Sequence, residues 1–209
     1  TIERIESASL PELGPRAEDF DGFPIESIHA KSALAKEMYD DFLGRRWATA
    51  LNKGLSYLKN NPLNQESIDV LFMLAESRWQ LGRLAADPPL GDMTNFYQQA
   101  LRAHEGGELG SFGHTRLAQA AAQTEDPKDA LANIDIALKQ AGRAQDVKLL
   151  MLKARQLQAL GDHEQALRMI DDLKKRDLNL AEKIETAKLD GAVHLEAGDA
   201  AGAWKAYAD

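Results

Sequence analysis

The chain has no cysteine among its 209 residues. That excludes disulfides and cysteine-based zinc sites, and leaves the compartment open between cytoplasm and bacterial periplasm. No run of about eighteen apolar residues occurs, so no stretch reads as a membrane-spanning helix. Runs of β-branched residues and the apolar–polar alternation of strands are missing too. So is the Gly-x-Ser-x-Gly turn that exposes a catalytic serine. The run Gly106–Gly113 lacks the Gly-Lys-Ser/Thr ending of a phosphate loop and follows a helical pattern, so it reads as a flexible turn. His104 and His114 flank it at a spacing that does not share one helical face, and no zinc set is completed. The acid pairs Asp40-Asp41, Glu125-Asp126 and Asp171-Asp172 are sequence neighbours, which diverge around a helix and cannot converge on one substrate as an acid–base pair must. These absences argue against an enzyme and call for no metal and no cofactor.

Charge of one sign is unevenly supplied. The formal net charge is −8, and residues 1–30 hold seven acids against Arg4 and Arg16, a local balance of −5. No basic stripe is present to displace counterions from phosphate, so nucleic acid is not an expected partner. Thr1 stands where a start methionine would, with no signal-like apolar core behind it. The expectation is a processed or excised piece of a longer chain.

What the chain does have is a pattern, clearest in Leu149–Leu173. Leu150, Ala154, Leu157 and Leu160 form one helical stripe. Gly161 then supplies the left-handed residue that ends a helix, and Asp162 is placed to cap the next. Ala166, Leu167, Ile170 and Leu173 line the second helix, the small residue at 166 allowing close approach. Ala130, Ile134 and Ala137 repeat that second helix 36 residues earlier, and Ala203 with Tyr207 repeat it 37 residues later. Leu71, Leu74, Ala75, Leu81 and Gly82 reproduce the first helix, and Ala50 in Trp47–Pro62 the second. A period in the mid-thirties with an Ala-x3-large step resembles the tetratricopeptide repeat. The resemblance covers about residues 31–209. It implies an all-α fold, a right-handed α-solenoid of about five antiparallel helix pairs, preceded by an irregular acidic arm over 1–30.

In chain order the repeats fall near 31–64, 68–105, 111–144, 147–180 and 184–209. The arm carries Pro11, Gly14, Pro15, Gly22 and Pro24, which forbid a long helix. It reads either as a linker or as a cap whose Leu10, Leu13, Phe20, Phe23 and Ile25 pack on the first repeat. Leu34, Met38 and Phe42 stripe the first helix, Gly44-Arg45-Arg46 turns it, and Trp47, Ala50, Leu51, Leu55 and Leu58 face inward on the second. The second repeat has Arg78 where the family usually has an aromatic residue, and an insertion, Ala85–Asp92, before a helix over Met93–His104. The third starts near Ser111 and turns at Glu125-Asp126-Pro127. The fifth stops at Asp209 and would leave the apolar face of its last helix open, so a continuation is expected.

The resemblance further implies that set positions of each first helix line a concave groove that binds a partner segment. Carried over, these are Tyr39 and Phe42; Asp69, Phe72, Glu76, Trp79 and Gln80; Phe112, Thr115, Gln119 and Gln123; Lys148, Met151, Arg155 and Gln158; Glu185 and Lys188. The groove would be aromatic with two acids in its N-terminal half, polar and basic in its C-terminal half. The lysine, arginine and asparagine set with which some members clamp a C-terminal carboxylate is absent. The function implied is a non-catalytic scaffold or adaptor for a protein or peptide partner. The alternatives are a regulatory or substrate-recruiting part of a longer enzyme, and an assembly component of a bacterial envelope or secretion complex. A homo-oligomer, or the acidic arm lying in the groove, stays open as well.

Overall fold

The computed structural model describes residues 22–61, 64–84, 90–140 and 146–208. Among them every long element is a helix: α1 (Ala33–Leu43), α2 (Trp47–Asn60), α3 (Gln65–Leu84), α4 (Leu90–Ala103), α5 (Gly107–Gln123), α6 (Pro127–Lys139), α7 (Val147–Ala159), α8 (His163–Lys174), α9 (Leu180–Glu196) and α10 (Ala200–Ala208). The all-α reading therefore holds, and no described helix is long and apolar enough to cross a membrane. The arm up to Asp21, with Leu10, Leu13 and Phe20, and Ala85–Pro89 of the insertion lie outside the described residues. The chain forms two compact units, Thr1–Pro89 and Leu90–Asp209, and the boundary falls inside the second repeat read from the sequence.

Four turns share one construction. Arg45, Glu125, Gly161 and Gly198 have left-handed backbone, with φ of 57°, 57°, 76° and 80°. The next amide in each case reaches back five residues: Arg46 to the Asp41 carbonyl (2.8 Å), Asp126 to Ala121 (2.9 Å), Asp162 to Leu157 (2.9 Å) and Asp199 to His194 (2.8 Å). This closure satisfies carbonyls that a helix end leaves open. A new helix begins two residues after each left-handed position. In three turns the intervening aspartate caps it: Asp126 accepts from the Asp129 amide, Asp162 from Gln165 and Asp199 from Gly202, at 3.1, 3.1 and 2.9 Å. Repetition in the sequence thus reappears as repetition of a hydrogen-bonded turn.

In the first unit α2 packs on α1 and α3, and α1 also touches α3. The crossing is tight at Gly54, where a Cβ would lie 2.7 Å from Leu74 Cδ2 and 2.8 Å from Met38 Cε. The buried stripe of α2 is Trp47, Ala50, Gly54 and Tyr57. Leu55 is exposed rather than inward, and Leu51 and Leu58 are only half-buried, because the stripe runs one position away from the leucines. The segment before α1 packs as the capping alternative expected for Phe23. Its ring lies 5.0 Å from that of Phe42, which in turn meets Trp47 edge-on at 5.2 Å. Glu66 Oε1 accepts the Ser32 amide at 2.6 Å, Glu66 Oε2 accepts the Tyr57 hydroxyl at 2.7 Å, and Asp69 accepts the His29 amide at 2.9 Å.

In the second unit each helix from α4 to α10 packs on the next, and α7 also touches α9. Ala154, Leu157, Ala166, Ile170, Leu189 and Val193 make one buried cluster, so Ala166 lies at the helix contact its size implied. The glycine run is not a flexible turn. α5 starts at Gly107, four residues before Ser111, and carries Gly110 and Gly113 in its first turns. Gly110 is required by space: a Cβ there would sit 2.1 Å from the Glu105 carbonyl oxygen. Similarly α4 starts at Leu90, ahead of the expected Met93.

Candidate functional site

The groove positions separate sharply by burial. On α3, every residue from Ser67 to Ser77 is buried. Asp69, Phe72, Glu76 and Trp79 are therefore inside, not on an exposed groove, and so is Phe42 on α1. Asp69 holds the His29 backbone, and Glu76 accepts from Gln80 Nε2 at 2.6 Å. The physical reason is legible in Val70–Ala75, six apolar residues in succession. A helix apolar on all sides has no polar face to turn to water. Tyr39 is half-buried, its hydroxyl held above the usual tyrosine range by burial and by the nearby Asp40 and Glu26 carboxylates.

α5 behaves like α3. Leu109 through Ala118 are buried, which takes Phe112 and Thr115 out of the groove. Arg116 lies over the Phe112 ring, 4.7 Å from its centroid, and donates to Gln119 Oε1 at 2.9 Å. Gln119 is half-buried and Gln123 exposed.

The carried-over positions on α7 and α9 fare differently. Lys148, Arg155, Glu185 and Lys188 are exposed. Met151 is the exception: it is buried, since α7 packs against α6, α8 and α9 and retains only a narrow solvent stripe. Across that stripe Arg155 meets Glu185 at 3.4 Å, and Gln158 Nε2 donates to Glu196 Oε1 at 2.8 Å. Exposed pairs of this kind are weak, about 0–1 kcal/mol, and exchange readily for a partner's groups. Two neighbouring helices thus present one polar face of mixed charge.

Next to it lies a surface that the groove positions do not include. Leu180, Ile184 and Leu195 of α9 share one helical face and are exposed, and on α10 Trp204 is 75 % and Tyr207 54 % exposed. Tyr207 stands 37 residues after Ile170, which is fully buried in a cluster with Leu189 and Val193 of α9. The apolar character of α10 was visible in the sequence, but Trp204 was not singled out, because it aligns with the half-buried Leu167.

Among the described residues no group of three or more His, Asp or Glu side chains is placed to hold a metal ion. Among the described residues, fold and site together define an all-helical, repeat-like protein. Comparison with family models, with curated proteins and with solved structures gives no match for this chain.

Proposed function

We propose that this chain is a non-catalytic protein-interaction module of the tetratricopeptide-repeat type, a solenoid of helix pairs that docks a partner segment. The observation that carries the reading is the exposure of Trp204 and Tyr207 beside Ile184 and Leu195. Tryptophan and tyrosine dominate binding hot spots, because they bury much area with few rotatable bonds to freeze. Their position, where α9 covers the equivalent Ile170, favours a partner helix with a small apolar stripe like that of Leu189 and Val193. The adjacent polar face, with Arg155, Lys188 and Lys148, would choose among such helices by charge. Because Arg155 already faces Glu185, a partner acid would have to displace that weak pair.

An affinity capture from the source organism's lysate tests this, comparing the native chain with Trp204→Ser and Arg155→Glu. A protein held by the native chain, lost with Trp204→Ser and weakened with Arg155→Glu, is the expected result. Equal retention by all three chains of unchanged helicity would overturn the reading. The exposed apolar residues of α9 and α10 also favour a second reading, an assembly component that stacks on further helical repeats. In that case the chain itself associates, and Trp204→Ser abolishes the association in sedimentation.

A further inference from the structure

The exposed apolar face of α9 and α10 has charge of one sign along its borders. At 3.6 residues per turn, Leu180, Ile184, Gly191 and Leu195 of α9 fall within about 60° of one another. The Tyr207 ring lies against Gly191, which joins this stripe to Trp204 and Tyr207 of α10 in one face. Lys183 and Lys188 stand on the two edges of the stripe. Glu182, Glu185 and Glu196 lie more than about 100° from its centre, on the far side of the helix. α10 contains no acid, and Lys205, next to Trp204, is its one charged side chain.

The acids of α9 are also engaged within the chain. Glu182 accepts the Asn179 amide at 2.9 Å, Glu185 faces Arg155 at 3.4 Å, Asp190 pairs with Lys174, and Glu196 accepts from Gln158 at 2.8 Å. Lys183, Lys188 and Lys205 are exposed and have no ion pair among the described residues. The face thus sets two aromatic and three aliphatic side chains among three uncompensated positive charges. The whole chain carries −8, but at physiological salt charges more than about 8 Å away are largely screened. What a docked segment meets is the local lysines.

We propose that the segment docked here is an acidic amphipathic helix of a partner protein. The proposal rests on the docking reading above and adds the partner's charge. The helix lays its apolar stripe over Ile184, Trp204 and Tyr207, and aspartates or glutamates along the stripe's edges meet Lys183, Lys188 and Lys205. The aromatic centre supplies most of the affinity. Rim pairs of this kind set the association rate and the choice of partner. An anionic membrane would meet the same lysines, but such surfaces are held by clusters of about four to eight basic residues. Three on an acidic chain fall short of that.

Two synthetic helical peptides of about eighteen residues test this, sharing one leucine stripe and carrying either glutamate or lysine along its edges. Calorimetry on the full chain reads affinity. Trp47 and Trp79 are buried, so a blue shift of the fluorescence reports Trp204. The glutamate peptide should bind saturably, about tenfold tighter than the lysine peptide, and should weaken as salt rises. Lys188→Glu combined with Lys205→Glu, at unchanged circular dichroism, should reverse that order, and Trp204→Ser should abolish binding of both peptides. If both bind equally well and Trp204→Ser abolishes both, the docking face stands and its acidic partner falls. If neither binds, the proposal falls whatever the lysate capture returns. Binding that survives Trp204→Ser removes the docking face as well. Tighter binding to phosphatidylserine vesicles than to the glutamate peptide, or a dimer in sedimentation that excludes the peptide, would also overturn the proposal.

Discussion

Glu125 and Gly161 occupy the same place in two successive turns, 36 residues apart, and both hold left-handed backbone, at φ 57° and 76°. Nothing lies within 4 Å of where a Gly161 Cβ would be, so the position is selected by backbone angle and not by room. A side chain in that region costs about 1–2 kcal/mol. Glycine escapes this cost, though it orders a more flexible residue. Glu125→Gly should therefore stabilise the chain by about 0.5–1 kcal/mol, and Gly161→Ala should destabilise it by about 1 kcal/mol. Urea unfolding of the two variants decides this. Shifts of the same sign in both would mean the turns are not equivalent.

The turns were readable because each carries its own chemistry: a helix-ending residue, a capping aspartate and an apolar step one turn later. Asp126 and Asp162 cap as their spacing implies. Burial was less readable, because register alone does not say how many neighbours a helix has. Phe72 and Trp79 satisfy the groove positions of a repeat, yet Ser67–Ser77 and Trp79 of α3 are all buried. The run Val70–Ala75 was the signal, and one-faced periodicity hides it. Gly110 and Gly113 misled for the converse reason: glycine often marks a turn, but here Gly110 serves close approach inside a helix. The pairing of His114 with Asn133 gave no sequence signal, since the two lie 19 residues apart on different helices.

Gly54 gives a sharper test of close packing. Adding a Cβ in an exposed helix would gain about 1 kcal/mol of propensity. Here it would press to 2.7–2.8 Å from Leu74 and Met38, and overpacking a filled contact costs about 1–3 kcal/mol. The net expectation for Gly54→Ala is a lower melting temperature, and for Gly54→Val a further drop. A Gly54→Ala chain that melts higher than the native one would show that α2 and α3 are not in this contact.

Acid should loosen the first unit through two carboxylates. Burial works against the charge of Glu66, but the amides of Ser32 and Lys31 and the Tyr57 hydroxyl outweigh it and hold the carboxyl below its usual range. Burial likewise opposes the charge of Asp41, and is outweighed by Lys53 and Arg46, at 2.8 and 2.7 Å. Both folded-state values are depressed, so the stability they contribute is complete above the ordinary values of 4.5 and 3.8, and is lost as pH falls through the lower, folded ones. Glu66→Ala should lower stability at neutral pH by about 1–3 kcal/mol, because three donors lose their acceptor. It should also flatten the acid limb of a stability–pH curve. An unchanged acid limb would remove Glu66 from this role.

The last helix pair tests whether repeats in this chain are held by their neighbours. A Cβ on Gly191 of α9 would fall 2.3–2.6 Å from the Tyr207 ring. The ring is more than half exposed and near the end of α10, so it can swing away where the enclosed Leu74 cannot. The strain of Gly191→Val should thus be relieved by displacing α10, with little effect on the buried cluster of Ala166 and Ile170. In a chain of nearest-neighbour contacts, damage at one pair stays local. Hydrogen exchange should show faster exchange over Ala200–Ala208 in Gly191→Val, unchanged protection over His163–Lys174, and protection regained in α10 when Tyr207→Ala is added. Loss of protection in α8 as well would mean the second unit unfolds as one body, and failure of the second substitution to restore α10 would place its contact elsewhere.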